Sequence, residues 1–181
     1  MKRLIVLAIL QAVAIWPCFA NAGELTSACR KALPTDLATA LSTRYGNWKV
    51  ADIVDLTPDD QTAWKKRYPE MCPGVTTGDF DGSKRAQFAV LLNTKNKPGS
   101  SQLVFVAKGS GGDYAFNRIS LWPLYWSSAV HRLPPGQYSD FYERDKKFKV
   151  KADVIALGTT SDKATGYFFF DGELRSIFLS D

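Results

Sequence analysis

The segment GYFFFDGELRSIFL, residues 166–179, does most to decide how the chain folds. Two runs of strand-favouring residues flank Asp171 and Gly172, a dipeptide that tolerates the positive φ angles of a tight hairpin turn. Residues 166–170 and 173–179 are therefore expected to pair antiparallel. Toward the N-terminus, similar short runs separated by turn residues recur at 153–157, 147–151, 114–119, 102–108 and 87–93, with an earlier one at 48–54. Residues 109–113 read as a turn and not as a phosphate loop, because no helix start follows them. Val90, Leu91 and Leu92, like Phe168, Phe169 and Phe170, are continuous rather than alternating, which predicts strands covered on both faces.

The part before residue 74 has a different rhythm. Leu25, Ala28, Cys29, Ala32, Leu33, Leu37, Ala40, Leu41 and Tyr45 recur at helical spacing. Pro34 lacks a backbone N–H and disfavours helix at the residue before it, so the helical region breaks there and restarts with Pro34 in its first turn. Thr57, Pro58 and Asp60 supply a capping hydroxyl, a first-turn proline and an acid near the positive helix end, which predicts a second helix to about Arg67. Trp48 and Trp64 fall in the strand and helix patterns and are assigned to the core. Helices first and strands joined by short turns after them predict an α+β fold: N-terminal helices packed on a mostly antiparallel sheet, in a single domain spanning residues 23–181.

Residues 1–22 have the parts of a cleavable secretion signal: Lys2 and Arg3, an apolar run from Leu4 to Trp16, and the small residues Ala20 and Ala22. That run is shorter than the ~18 residues a bilayer span needs, and no later segment is apolar for as long, so no transmembrane segment is expected. Cys18 follows Ile15, Trp16 and Pro17, not the small residues that precede a lipidated cysteine. The expected address is periplasmic or secreted. The formal charge of +5 includes Lys2 and Arg3, so the mature chain carries about +3, too little to imply nucleic acid as a partner. Lys147, Lys149 and Lys151 share one side of a predicted strand, read as a solvated edge that discourages strand pairing or as a small basic patch.

Beyond the signal, Cys29 and Cys72 form an even pair, which in an exported protein predicts a disulfide. Closing a loop of roughly 43 residues stabilises a fold by about 4 kcal/mol on chain entropy alone. A zinc site lacks ligands, since the chain has one histidine and these two cysteines are expected to be bonded.

The segment GDFDGSKRAQFAV, residues 78–90, resembles the calcium loop of FG-GAP and VCBS-type repeats of extracellular proteins, in which oxygen ligands at alternating positions enter a strand. The resemblance implies Asp79, Asp81, Ser83 and Gln87 as the ligand set, with calcium as the cofactor. Ser83 and Gln87 stand where the pattern has carboxylates, and Lys84 and Arg85 bring positive charge. The residues alone also fit an Asx-type turn in which Asp79 and Asp81 bond nearby backbone. The match covers about 13 residues, and the chain has no room for the blades of a propeller.

No catalytic set assembles convincingly. His131 is the single histidine, Ser127 and Ser128 lack the glycines of a nucleophile elbow, and Asp140, Glu143 and Asp145 are a grouping that frequent acids produce by chance. His131 is read as a loop or surface residue. The aromatic cluster of Trp122, Tyr125, Trp126 and Tyr138, on a proline-punctuated stretch, reads either as a contact surface or as a loop capping the core. The function expected from these features is an exported, non-enzymatic protein that binds another protein and occludes it, as an inhibitor or immunity protein does. The alternatives are a calcium-stabilised module of structural or adhesive role and an enzyme of unfamiliar type.

Overall fold

A computed structural model of the 181-residue chain describes residues 25–95, 100–123, 127–143, 145–158 and 163–180. Residues 1–22, the expected secretion signal, lie outside them. Two helices come first, α1 (Ser27–Ala32) and α2 (Thr35–Arg44), separated where Leu33 takes an extended conformation before Pro34. Pro34 sits one position before α2 as its cap, not inside its first turn. Strand β1 (Trp48–Val50) follows, then a short 3₁₀ turn (Ile53–Asp55) and α3 (Pro58–Arg67), whose cap is Thr57 Oγ1 accepting from the Asp60 N–H.

The expected strand at 48–54 is thus cut short. Asp52 ends it: the carboxylate accepts from Ile53 N–H and from both the N–H and the hydroxyl of Thr26, while the Asp52 N–H donates to Asp55. A buried side chain able to hold so many donors in a tight turn overrides the strand preference of Ile53 and Val54.

The strands are β2 (Val75–Gly78), β3 (Gln87–Thr94), β4 (Ser100–Lys108), β5 (Tyr114–Pro123), β6 (Ala129–Leu133), β7 (Gly136–Ser139), β8 (Lys147–Val150), β9 (Val154–Gly158), β10 (Lys163–Phe170) and β11 (Glu173–Ser180). Every pairing among the described residues is antiparallel. The chain is therefore α+β with mostly antiparallel β-structure, but it builds more than the single sheet expected. One sheet runs β1-β3-β4-β5, with β2 also on β3; a second runs β11-β10-β9-β6; β7 and β8 form a separate hairpin.

The continuous apolar runs account for the extra layers. Val90 and Leu92 of β3, with Val104 and Val106 of β4, share a cluster with Leu33, Leu37 and Leu41 from the helices. Their neighbours Ala89, Leu91, Leu103 and Phe105 share another with Val130, Ile155, Leu157 and Tyr167 of the second sheet. Since alternate strand residues face opposite ways, a strand apolar at every position must be covered twice. The far face of the second sheet, with Val154, Phe168 and Ile177, meets Tyr138, Phe148 and Val150 of the β7–β8 hairpin.

Cys29 of α1 and Cys72, just before β2, are joined by a disulfide. Between β10 and β11, Asp171 (φ 52°) and Gly172 (φ 81°) make the two-residue turn read from the sequence.

Candidate functional site

The loop between β2 and β3 is built around one side chain. Gln87, 2 % exposed, accepts the N–H groups of Phe80 and Asp81 on its Oε1 (2.8 and 3.2 Å) and donates from Nε2 to Ser83 Oγ at 3.1 Å. Asp81 accepts the Ser83 N–H at 2.9 Å, the Asx-turn geometry, and Gly82 and Lys84 hold positive φ. Burial pulls the Asp81 carboxyl upward, but the bonds from Ser83 and Gln87 and the charge of Arg85 outweigh it and leave the group more acidic than usual. Asp79 is tied by its backbone: its N–H donates to Asp153 Oδ2 and its carbonyl accepts the Asp153 N–H, both at 2.9 Å.

Calcium asks for six to eight oxygens. Of the four ligands the resemblance implies, the Gln87 oxygen is committed to two N–H donors and the Ser83 hydroxyl to the Gln87 amide and, at 3.5 Å, to Arg85. The side-chain oxygens that remain are those of Asp79 and Asp81, and Asp79 Oδ1 is buried without a hydrogen-bond partner among the described residues. Among the described residues no three His, Cys, Asp or Glu side chains gather at ion-binding separation.

A different region offers itself to a partner. The turn after β7 opens at Asp140, whose carboxylate accepts the N–H groups of Tyr142 (2.9 Å), Glu143 (3.0 Å) and, across on β11, Phe178 (3.0 Å). The Phe141 N–H returns the link to the Phe178 carbonyl at 2.8 Å. These bonds, those from Glu143 and Phe178 foremost, hold the Asp140 carboxyl below the usual carboxylate range. The result is a fixed aromatic set in solvent: Phe141 is 39 % exposed, Tyr142 71 % and Phe178 49 %, with Tyr142 edge-on to both rings at 5.1 and 5.3 Å. On the same hairpin, Lys147 and Lys149 point outward with Gln137 and Ser139, while Phe148 and Tyr138 point in. Neither lysine, nor Lys151 beyond the strand, makes an ion pair among the described residues.

Of the aromatic cluster expected from the sequence, Tyr138 is the member whose side chain is described. The backbone of Trp122 lies in β5 opposite Ser101, and its side chain, with Tyr125 and Trp126, falls outside the described residues. Residues 121–123, 129–133 and 136–139 are strand, not loop, because β4, β9 and β8 supply ladder partners that local composition does not reveal. Tyr138 belongs to the inner face of its hairpin and its hydroxyl donates to the Pro134 carbonyl; burial first, then the charge of Asp153, raises its pKa. It does not join an outward contact surface.

His131, expected as a loop or surface residue, is in β6 with its ring against Tyr68 (5.5 Å) and Trp64 (6.5 Å). Ser127 Oγ accepts the Thr57 N–H at 3.1 Å. Of the acidic group near 140, Asp140 is spent on backbone and Glu143 pairs with Lys146 at 3.2 Å. Phe141, Tyr142 and Phe178 were not singled out from the sequence. The usable signal was Asp140 itself, an Asx residue two positions before Tyr142, in a turn between alternating runs. The chain matches no protein-family model, and no curated protein or solved structure is similar to it.

Proposed function

We propose that this is an exported, non-catalytic binding protein that presents the β7–β8 hairpin to another protein and covers that partner's working surface, as an inhibitor or immunity protein does. The partner's face is acidic around an apolar slot. One observation carries the reading: Asp140 fixes Phe141, Tyr142 and Phe178 in solvent beside the outward Lys147 and Lys149. Aromatic side chains whose backbone is already ordered lose little freedom on binding, and aromatics dominate the energetic centre of interfaces while charges at the rim set the association rate. Export is supported by the basic and apolar N-terminal pattern and by the Cys29–Cys72 disulfide. Among the described residues no helix is long and apolar enough to cross a membrane, which says nothing of a strand-built barrel.

The test is affinity capture of a partner by the full chain, followed by measured affinities of variants. Tyr142→Ala with Phe178→Ala should weaken binding at least tenfold, and Lys147→Glu with Lys149→Glu should slow association and flatten its salt dependence. Thr62→Ala on α3 should change nothing. Equal affinity of all variants, or capture only by anionic lipid vesicles, would remove the proposal.

A further inference from the structure

The edge of a sheet exposes backbone groups that can pair with another chain, and proteins ordinarily cover or shorten such edges. Most edges here are treated so. β1 is three residues long, the Pro73 carbonyl just before β2 accepts the Val130 N–H of β6 at 2.7 Å, and the Phe178 N–H and carbonyl on β11 are taken by Asp140 and Phe141. β5 is the exception: ten residues long, it has β4 on one side and no strand on the other among the described residues. The turn that leads into β5 sets which of its groups are free. The Gly109 N–H donates to the Asp113 carbonyl at 2.8 Å. Because antiparallel pairs alternate between bonded and non-bonded, Ala115 and Asn117 bond to β4, while Tyr114, Phe116 and Arg118 turn their N–H and C=O groups outward. A bulge then leaves Ile119 without an opposite residue and ends the regular edge at Arg118.

The two flanks of this edge differ in chemistry. On the helix side, Tyr114 and Phe116 pack against the cluster under α2, and the Arg44 guanidinium lies over the Phe116 ring at 5.5 Å. Arg118 is exposed on the same face by strand alternation. Neither Arg44 nor Arg118 makes an ion pair among the described residues, whereas the charge of Lys108 is met by Asp36 at 2.9 Å. On the other side, β3 lies against β6 and Phe105 of β4 meets Phe169 of β10 at 5.6 Å, so the outer strands β5 and β11 flank one opening. Beyond that ring contact both strands are bare: Ala115 and Asn117 are exposed on β5, and Leu174, paired with Phe169, is 40 % exposed on β11. The edge thus has a cationic flank and a flank that opens on an apolar trench.

We infer that β5 accepts an extended segment of another protein as an added strand, one in which acidic and apolar residues alternate. The outward groups of Tyr114, Phe116 and Arg118 supply the main-chain bonds, and the two flanks supply the selectivity. Side chains opposite Phe116 and Arg118 fall beside the two unpaired guanidinium groups and are acidic. Those opposite Ala115 and Asn117 enter the trench toward Leu174 and are apolar. A second copy of this chain fits less well, because a two-fold pairing centred on Phe116 brings the two Arg44 side chains together. The edge shares no residue with the β7–β8 hairpin, and the inference stands without it.

The experiment titrates a capped peptide of about seven residues, alternating Glu and Val, into the isotope-labelled full chain. The amide signals of Tyr114, Phe116 and Arg118 report binding and their protection from hydrogen exchange. Saturable binding with a Kd of about 1 mM or tighter is expected, with those amides exchanging more slowly. A peptide alternating Lys and Val, and one alternating Glu and Pro that cannot pair as a strand, should each bind at least tenfold more weakly. Arg118→Glu should weaken the Glu–Val peptide about tenfold and strengthen the Lys–Val peptide, with an unchanged melting temperature because the side chain is exposed and unpaired. Leu174→Asn should weaken binding severalfold, and Tyr142→Ala on the hairpin should leave it as it is. No saturable binding, equal affinity for the Glu–Pro peptide, full affinity in Arg118→Glu, or loss of binding in Tyr142→Ala would each overturn the inference. So would protection of the same amides that grows with protein concentration in the absence of peptide, which would assign the edge to a second copy.

Discussion

Replacing Gln87 with methionine tests whether the 79–87 loop is held by hydrogen bonds or by a metal. Methionine keeps the volume and removes every polar atom. Two backbone donors, the N–H groups of Phe80 and Asp81, then lose their acceptor, and Ser83 loses the amide that bonds it. Phe80 is fully buried and Asp81 exposed, so the first donor bears the full desolvation penalty and the second only part of it. At about 1–3 kcal/mol for a buried orphan, the pair should cost about 2–4 kcal/mol. In a domain of this size each kcal/mol moves the melting temperature by roughly 2–4 °C, so calorimetry should show a fall of roughly 4–16 °C. Calcium or chelator should alter neither the wild-type nor the variant value, since a ligand stabilises only what it binds. A Gln87→Met melting temperature equal to wild type would refute the hydrogen-bonded loop. A calcium-dependent rise that Asp79→Ala abolishes would establish the ion site instead.

Reducing the Cys29–Cys72 bond, or replacing both residues with alanine, should cost about 4 kcal/mol given the separation of 43 residues, read as a lower denaturant midpoint; an unchanged midpoint would mean the bond constrains nothing. Asp140→Ala should lower stability at neutral pH. Because the folded carboxyl is more acidic than the ordinary value of about 3.9, its contribution is present above that value and fades as pH falls through the folded pKa. Melting curves of wild type and variant should therefore converge at low pH, and a constant gap across the titration would contradict the assigned bonds.

Much of the fold was legible because its signals are local. Thr57 and Pro58 start a helix within four residues, and Asp171-Gly172 turns a hairpin without outside help. The strands that escaped notice, β2, β6 and β7, are short and half polar, and two of them draw their ladder partners from distant segments or sit beside Pro134 and Pro135. The number of sheets escaped for a related reason: the run 89–92 announces cover on both faces but not that one cover is a second sheet. At the candidate site the lysine alternation was visible. The aromatic set was not, because it depends on Asp140 reaching Phe178 across 38 residues of sequence.

The most direct test of the proposed function places a photo-crosslinking amino acid at position 142 of the full chain, expressed in its native host, with a matched substitution at Thr62 on the exposed side of α3. The account predicts one discrete protein adduct from position 142, lost when Phe178 is also changed to alanine, and none from position 62. The same adducts from both positions, or none from position 142, would contradict it.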